Sequence, residues 1–200
     1  DAYAYLLHDK RGHGLSSVGT PPYTIETHAD DLIALLDHLK IGEVIVWGLS
    51  VGGLIAQSVA ITHPERVAAL VLSNTAQKIG TAEMWNARID AVRANGLESL
   101  VDPVMERWFT PAFRRDDNPL YAGARAMLLR QSAEGYCGTC AAIRDADYTD
   151  ALARLVVPTL CVAGDQDGST PPELVKSLAG LVANSYFVRV GNNGHIPPLE

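Results

Sequence analysis

Three features are scarce in this sequence: cysteine, clustered basic residues and long apolar runs. The only cysteines, Cys137, Cys140 and Cys161, do not make a disulfide framework, which favours a reducing environment. No stretch approaches the roughly 20 apolar residues of a membrane span, and no signal-peptide pattern is present. We therefore expect a cytoplasmic protein with no membrane partner.

The charge balance indicates which classes of partner are not expected. There are 16 Lys and Arg residues against 23 Asp and Glu residues, which gives a net charge of −7, and the basic residues form no run. Nucleic acids and anionic lipid surfaces are bound by clustered Lys and Arg, so neither is expected as a partner. A small-molecule substrate remains the expected partner, and the oligomeric state is left open.

The length suits one domain with an insertion. Two hundred residues, 48% of them hydrophobic, are enough for a sizeable core. The chain opens on Asp1–Leu7, which already has the pattern of a strand, lacks an initiator Met and stops at Glu200 directly after a motif. We expect it to be an internal piece of a longer protein.

Strand and helix patterns alternate on both sides of a helical stretch. Short apolar runs predict strands at Asp1–Leu7, Glu43–Val46, Val67–Leu72, Leu155–Ala163 and Tyr186–Val190. Thr24 is predicted to cap the first helix, and Gly42 is its predicted stop. Strands that alternate with helices predict a mostly parallel sheet covered by helices, an α/β fold.

No strand is predicted between Thr81 and Asp147. This stretch instead has four helical patterns separated by glycine and proline: Ala82–Ala94, Leu97–Trp108, Leu120–Gln131 and Ala133–Arg144. We therefore expect an α/β core made of residues 1–78 and 149–200, interrupted by a helical insertion over residues 79–148.

The segment Trp47–Gly53 lies between a predicted strand and a predicted helix and contains Gly-x-Ser-x-Gly. A chain that reverses from strand to helix so sharply is crowded, and we expect Gly48 and Gly52 to remove colliding Cβ atoms. Ser50 then lies at a strained turn beside a helix N-terminus, whose N–H groups stabilise an oxyanion. The pattern predicts a nucleophile; the alternative is a glycine-rich turn with an incidental serine.

A serine nucleophile needs a base. His195 follows the last predicted strand in a turn at the carboxyl edge of the sheet, where parallel sheets bind ligands, and it is the predicted base. His28 and His38 flank the apolar face of the first helix and are expected to be solvated. The other histidines lie in a loop or at a helix end: His8, His13 and His63.

The base in turn needs an orienting carboxylate, which is predicted in Gly164–Pro171 between a strand and a helix. Asp167 is the first choice and Asp165 the second. An Asx turn or a helix cap accounts for one of these aspartates. It does not account for the complete chain order Ser…Asp…His.

These motifs make the chain resemble the α/β-hydrolase family over nearly all of its length. Gly48–Gly52 resembles the nucleophile elbow of that family, and Lys10–Ser16 resembles its Arg-Gly-x-Gly-x-Ser loop. The resemblance implies an α/β-hydrolase fold with a mostly parallel sheet, and it implies that the helical insertion is a cap.

The same resemblance implies a catalytic triad of Ser50, Asp167 and His195 that works without a cofactor or a metal. It also implies that the N–H of Val51 is one oxyanion donor. The second donor of the family would lie before residue 1.

A narrower resemblance lies in and around the insertion. Four segments resemble the 3-oxoadipate enol-lactonases: Leu72–Ala76, Ile79–Trp85, Glu106–Thr110 and Cys140–Asp145. Those enzymes open a small anionic lactone in the β-ketoadipate pathway of aromatic catabolism. The resemblance therefore implies hydrolysis of 3-oxoadipate enol-lactone to 3-oxoadipate.

A substrate that bears a carboxylate needs a cation in a shaped pocket. Trp85 and Arg88 are three residues apart on one helix face, where Arg binds carboxylates bidentately and Trp forms a wall. We predict that this pair contacts the substrate. The alternative is that Trp85 packs the insertion and Arg88 is solvated. Rival contacts are Trp108, Arg107 and Arg144.

Other activities use the same triad under a helical cap. They include carboxylesterases, carbon–carbon bond hydrolases of ring-cleavage products and cofactor-free perhydrolases, and fold alone does not separate them. A small-ligand receptor without catalysis is the alternative from another class. The Cys137-x-x-Cys140 spacing is interpreted as chance within a helix, because it has no second pair of zinc ligands.

Overall fold

The computed structural model describes residues 3–200. Its strands are β1 (Val44–Leu49), β2 (Val67–Ser73), β3 (Thr159–Gly164) and β4 (Ser185–Val190). Its helices are α1 (Ile25–His38), α2 (Val51–Thr62), α3 (Ala82–Asn95), α4 (Val101–Trp108), α5 (Pro119–Leu129), α6 (Ala133–Asp145), α7 (Thr149–Leu152) and α8 (Pro172–Leu181). Short 3-10 turns at Pro64–Arg66 and Leu97–Leu100 precede β2 and α4.

The strands form one parallel sheet in the order β1-β2-β3-β4, which confirms the predicted α/β fold. Leu49 pairs with Ser73, and Gly164 pairs with Val190, so the carboxyl ends of all four strands face the same edge. Residues that follow each strand are therefore brought together at that edge.

The core holds these strand ends in register. Leu54 of α2 and Leu72 of β2 are fully buried, and Leu36 of α1 and Leu178 of α8 belong to the same apolar cluster. Burying a side chain of this size stabilises the fold by roughly 1.5–3 kcal/mol. The loops at the carboxyl edge thus project from a well-packed base.

Helix α1 begins as predicted but ends earlier. The Thr24 hydroxyl accepts a hydrogen bond from the Thr27 N–H at 3.1 Å and caps the first turn. The helix ends at His38, and Lys40 then takes a left-handed conformation with φ of 58°. The stop therefore precedes Gly42, the predicted position, because Lys40 supplies the left-handed residue that ends many helices.

The prediction that His28 is solvated is wrong, because its side chain is buried. Its ring packs edge-on against Tyr23 with the ring centroids 5.3 Å apart. Neither ring nitrogen has a hydrogen-bond partner among the described residues. The buried face of α1 is wider than its apolar pattern, and position 28 falls within it, whereas His38 is exposed as predicted.

The predicted opening strand is wrong over residues 3–7. This segment has no strand structure, and Tyr5 and Leu7 are 77% and 90% exposed. A strand needs a neighbour for its backbone hydrogen bonds, and none of the sheet strands in the described part of the chain pairs with this segment. The rest of the predicted strand, Asp1 and Ala2, lies outside the described residues.

Helices α3 to α6 follow the predicted helical patterns and lie between the adjacent strands β2 and β3. Helix α3 packs on α6. Trp85, Met105 and Tyr136 are buried and join the same apolar cluster as the sheet. The insertion is therefore packed directly on the α/β core.

Cys137, Cys140 and Cys161 are buried and free. Among residues 3–200, no group of three or more His, Cys, Asp or Glu side chains is arranged to hold a metal ion. Within that same range, every helix is too short or too polar to cross a membrane.

Candidate active site

Ser50 lies in the sharp turn between β1 and α2, with φ of 56° and ψ of −119°. A Cβ at position 48 would lie 2.1 Å from the carbonyl oxygen of Gly52, so only glycine fits there, as predicted. Gly52 itself differs from the prediction, since a Cβ there would meet no atom of the described residues within 4 Å outside its chain neighbours and its own helix backbone. The second crowded glycine is Gly53, whose Cβ would lie 2.4 Å from Thr75.

The strained backbone at Ser50 is tied to the end of the neighbouring strand. The Ser50 N–H donates to the Ser73 carbonyl at 3.0 Å, and the Thr75 hydroxyl donates to the Ser50 carbonyl at 2.7 Å. A non-glycine residue at positive φ persists only where surrounding contacts hold it, and such strain is concentrated at functional sites. Val51, the predicted oxyanion donor, is the first residue of α2.

Asp167 is buried in the loop after β3 and accepts hydrogen bonds at both carboxylate oxygens. The N–H groups of Ser169 and Thr170 donate to Oδ1 at 2.7 and 3.0 Å. The Thr170 hydroxyl and the Asn74 amide donate to Oδ2 at 2.7 and 2.9 Å. Burial alone raises the pKa of Asp167, but these bonds and His195 bring the net pKa below its usual value.

His195 is buried against the same carboxylate. Its Nδ1 lies 2.8 Å from Oδ2 of Asp167, which makes Nδ1 the protonated nitrogen and leaves Nε2 to accept a proton. The His195 ring stacks on the Trp108 ring with centroids 5.9 Å apart. The backbone N–H of His195 donates to the backbone carbonyl of Trp108 at 2.6 Å. The imidazole is therefore fixed in orientation by the acid on one side and by α4 on the other.

The loop after β4 folds back across the carboxyl edge of the sheet, the edge at which Ser50 also lies. Gly194 is so close to β3 that a Cβ at Gly164 would lie 2.0 Å from its carbonyl oxygen. The same carbonyl accepts from the Asn74 amide at 3.2 Å, and the Gly194 N–H donates to the Glu200 carboxylate at 2.9 Å. Asn74 thus joins the loops that carry Asp167 and His195 to the end of β2.

The structure brings Asp167, the first choice for the acid, together with His195 but shows no hydrogen bond between His195 and Ser50 within residues 3–200. Asp165, the second choice for the acid, accepts from the Asn193 N–H at 3.2 Å and does not contact His195. Within residues 3–200, Ser50 Oγ makes no hydrogen bond to His195. Nucleophile–base contacts are often long in unliganded enzymes and shorten when substrate binds.

Four supporting residues were not predicted in these roles: Asn74, Trp108, Thr170 and Glu200. Asn74 directly follows β2 at the carboxyl edge, which is the signal that points to it in the sequence. From the sequence, Trp108 is predicted only as a rival substrate contact. Its stacking on His195 depends on how α4 packs over the sheet edge, which no local pattern contains.

The predicted substrate contacts lie on one side of α3. The Trp85 indole N–H donates to the Ile79 carbonyl at 2.6 Å, and the ring is buried. The Arg88 guanidinium lies over that ring, 5.0 Å from its centroid. Trp85 therefore packs the insertion and also supports Arg88.

Arg144, a rival contact, is engaged elsewhere. Its guanidinium pairs with Asp145 at 2.7 Å and donates to Asn86 at 2.8 Å. It lines a cavity of about 780 Å³ between α3, α6 and the Pro21–Pro22 segment, and none of the triad residues lines this cavity. The rivals Arg107 and Trp108 lie at the end of α4, beside the Asp167 and His195 loops.

Comparisons with known proteins give a consistent picture. The family model described as alpha/beta hydrolase fold matches residues 1–200. The 3-oxoadipate enol-lactonases 2 and 1 of Acinetobacter baylyi are 42% and 36% identical to this chain over 170 and 168 residues. The matches cover 85% and 84% of this chain and 64% and 63% of the relatives, so the chain spans slightly less than two thirds of their length.

This chain is also similar in fold to a solved structure. The crystal structure of the enol-lactonase from Burkholderia xenovorans LB400 superposes with a TM-score of 0.91 at 35% identity. The superposition covers 94% of this chain and 72% of that one.

Proposed function

The chain belongs to the α/β-hydrolase fold family, and on that basis we propose that the protein is a serine hydrolase of esters or lactones. Ser50 is the nucleophile, His195 the base and Asp167 the orienting acid. The observation that carries the proposal is the buried hydrogen bond of 2.8 Å between Asp167 and His195, at the same sheet edge as the strained Ser50. In this proposal residues 1–78 and 149–200 form the core, and residues 79–148 form a cap over the site.

The proposed reaction begins with acylation of the serine. His195 takes the proton of Ser50 Oγ as this oxygen attacks the lactone carbonyl, and the oxyanion is stabilised by the N–H of Val51. Collapse of the intermediate breaks the ring C–O bond. The departing enol oxygen receives the proton from His195, and the enol then becomes a ketone.

Hydrolysis of the acyl-enzyme completes the cycle. His195 removes a proton from a water molecule, which attacks the acyl carbon, and Ser50 leaves with the proton returned by His195. One water is consumed for each lactone opened, and no cofactor or metal takes part. Asp167 remains ionised and stabilises the imidazolium in both halves of the reaction.

We propose 3-oxoadipate enol-lactone as the substrate and 3-oxoadipate as the product. The identity of 42% and 36% to the two enol-lactonases of Acinetobacter baylyi supports this choice. The position of Arg88 over Trp85 also supports it, because a cation on an aromatic wall suits a small substrate that bears a carboxylate. The reaction would then belong to cytoplasmic catabolism of aromatic compounds.

The test is a comparison of three substrates. Steady-state kcat/KM is measured for 3-oxoadipate enol-lactone, for neutral p-nitrophenyl acetate and for a ring-cleavage dienoate. We expect the lactone to exceed both others by several orders of magnitude, because only it combines an activated ester with a remote carboxylate.

The other outcomes discriminate between the alternatives. A preference for the neutral ester would overturn the lactonase assignment and leave the triad in place. A preference for the dienoate would indicate a carbon–carbon bond hydrolase. Tight lactone binding without turnover would indicate a receptor and would contradict the triad assignment as well.

A further inference from the structure

Three hydrogen bonds within residues 3–200 join the end of α4 to the loops after β3 and β4. In two of them a backbone N–H of a loop donates to a backbone carbonyl of α4 at 2.6 or 3.1 Å: His195 to Trp108 and Gly168 to Arg107. In the third, the Thr110 N–H donates to the Glu200 carboxylate at 2.9 Å. This third bond depends on the identity of a side chain, so it is the one that a substitution can remove.

The Glu200 carboxylate connects two segments that are far apart in the chain. Its Oε2 accepts from the N–H of Gly194, directly before His195, at 2.9 Å. Its Oε1 accepts from Thr110, which is 90 residues away in the sequence. A Cβ at Gly194 would lie 2.3 Å from the Trp108 carbonyl oxygen, so the two segments are in close contact there. The carboxylate thus fastens the loop that carries His195 to the end of α4.

Neither a cation nor the helix dipole accounts for the charge of Glu200 at this position. The residue is partly buried and forms no ion pair within residues 3–200. A carboxylate beside the C-terminus of a helix meets the negative end of its dipole, so α4 does not favour it. The two backbone donors are the groups that hold it, and hydrogen bonds to a charged acceptor are stronger than those to a neutral one.

The position of His195 depends on both of the segments that Glu200 connects. Its ring stacks on Trp108, and its Nδ1 lies 2.8 Å from Asp167. A displacement of about 1 Å in a reacting group lowers a rate by roughly 10²-fold, so a base held by two separate elements gains from a bond between them. We propose that Glu200 is a positioning residue, which holds the His195 imidazole in its working orientation by fastening its loop to α4 of the insertion. This inference rests on the proposed function, because it takes His195 as the base.

Inactivation by phenylmethanesulfonyl fluoride measures the effect on the base without the lactone. In that reaction Ser50 Oγ bonds to the sulfonyl sulfur, fluoride leaves, and His195 takes the proton. In Glu200→Ala we expect the second-order rate constant of inactivation and kcat for p-nitrophenyl acetate each to fall by about 10- to 100-fold. KM should change by less than about 3-fold, because Glu200 does not contact the substrate in this proposal. Glu200→Gln should lie between wild type and Glu200→Ala, because an amide has one acceptor oxygen and serves one of the two N–H groups.

Glu106→Gln is the matched control. Glu106 is exposed on α4, and its ion pair with Arg114 spans 3.8 Å, so the substitution removes a carboxylate from the same helix and breaks none of the three bonds. Its rates should equal those of the wild type. All rates are measured well below the unfolding midpoint of each variant, and the number of reacting sites is counted. A structural role alone would lower that number, whereas a positioning role lowers the rate constant of the sites that react.

Amide hydrogen exchange tests the two hydrogen bonds independently of activity. Peptides that contain Thr110 and peptides that contain Gly194 should both exchange faster in Glu200→Ala than in the wild type, because each N–H loses its acceptor. Peptides from β1 and α2 should exchange at the wild-type rate. Glu106→Gln should leave exchange unchanged in all of these peptides.

The outcomes separate this inference from the proposed function. If the reagent labels Ser50 but Glu200→Ala reacts like Glu106→Gln, the role of Glu200 is wrong and the serine hydrolase stands. If exchange and inactivation both depend on Glu200 but the lactone is a poor substrate, the lactonase proposal is wrong and the positioning role stands. If the reagent does not label Ser50 in the wild type, the proposed function is wrong and the positioning role fails with it, even where exchange shows the hydrogen bonds.

Discussion

The sheet edge and the helical insertion hold their charged groups in opposite ways. At the sheet edge, the Asp167 carboxylate accepts five hydrogen bonds from within the protein, from Ser169, Thr170, Asn74 and His195. In the insertion, the partly buried guanidinium groups of Arg88 and Arg107 have no carboxylate partner among the described residues. The carboxylate at the sheet edge has its hydrogen-bond partners within the protein, whereas the two guanidinium groups of the insertion have no ion-pair partner among the described residues.

This difference is what the proposed roles require, with an orienting group at the sheet edge and a binding group in the insertion. A carboxylate that must hold an imidazole in one tautomer gains from fixed partners, because its position and ionisation are then set before substrate arrives. A cation that must bind a carboxylate gains from having no internal partner to displace. The contrast can be tested from both sides.

Removing the proposed nucleophile, Ser50, should have the largest effect. Ser50→Ala leaves the strained turn and the packed loops in place but removes the attacking oxygen, so kcat for the lactone should fall by roughly 10⁴- to 10⁶-fold. Single-turnover and steady-state rates measure this. Ser177→Ala, on the exposed face of α8, is the control and should retain full activity. Substantial activity in Ser50→Ala would contradict the nucleophile assignment.

Neutralising the proposed acid, Asp167, should lower kcat nearly as much. Asp167→Asn keeps the shape but donates towards His195 Nδ1, which favours the wrong tautomer, and kcat should fall by roughly 10⁴-fold. Asp165→Asn is the matched control, since Asp165 accepts only from the backbone of the neighbouring turn in the described structure. We expect it to lower kcat by less than about 10-fold. The reverse order of effects would identify Asp165 as the acid.

The partners of Asp167 should matter less than Asp167 itself. Asn74→Gly removes the amide that donates to Asp167 and to the Gly194 carbonyl, and glycine tolerates the φ of 49° at this position. We expect a loss of about 10- to 100-fold in kcat and about 1–3 kcal/mol in the free energy of unfolding. Rates and urea titrations measure the two effects. An unchanged kcat would show that Asp167 does not depend on the hydrogen bond from the Asn74 amide.

His28, a buried imidazole with no hydrogen-bond partner among the described residues, should weaken the fold in acid. Burial, and next the Lys10 ammonium, lower the pKa of His28 from 6.5 to about 4. Between these values the unfolded chain takes up a proton that the folded protein does not. The free energy of unfolding should therefore fall as the pH drops from about 6.5 to about 4, by roughly 3 kcal/mol for this residue.

Urea unfolding at several pH values measures this loss. His28→Leu should flatten the decline over that interval, because leucine does not titrate, whereas His38→Leu on the exposed face of α1 is the control. A decline of equal slope in His28→Leu would assign the acid sensitivity to other groups, such as the half-buried His13, whose pKa burial also lowers to about 4.

Local patterns predicted the parts of the site that depend on neighbours in the chain. The Gly-x-Ser-x-Gly turn, the Thr24 cap and the alternation of strands with helices are set by steric and hydrogen-bonding rules that act over a few residues. The crowding at Gly48 followed from the same rules. They did not indicate that Gly53, rather than Gly52, meets Thr75 of the adjacent strand end.

The sequence by itself determined the α/β class, the helical stretch and the order Ser50, Asp167, His195, because each is written in local periodicity and chain order. Only the tertiary structure decided which aspartate meets the histidine, that Asn74 supports an acid 93 residues away, and which arginines lack a carboxylate. It also buried His28. These outcomes depend on contacts between residues far apart in the chain, and such contacts exist only once the sheet has aligned its strand ends and the insertion has packed upon them.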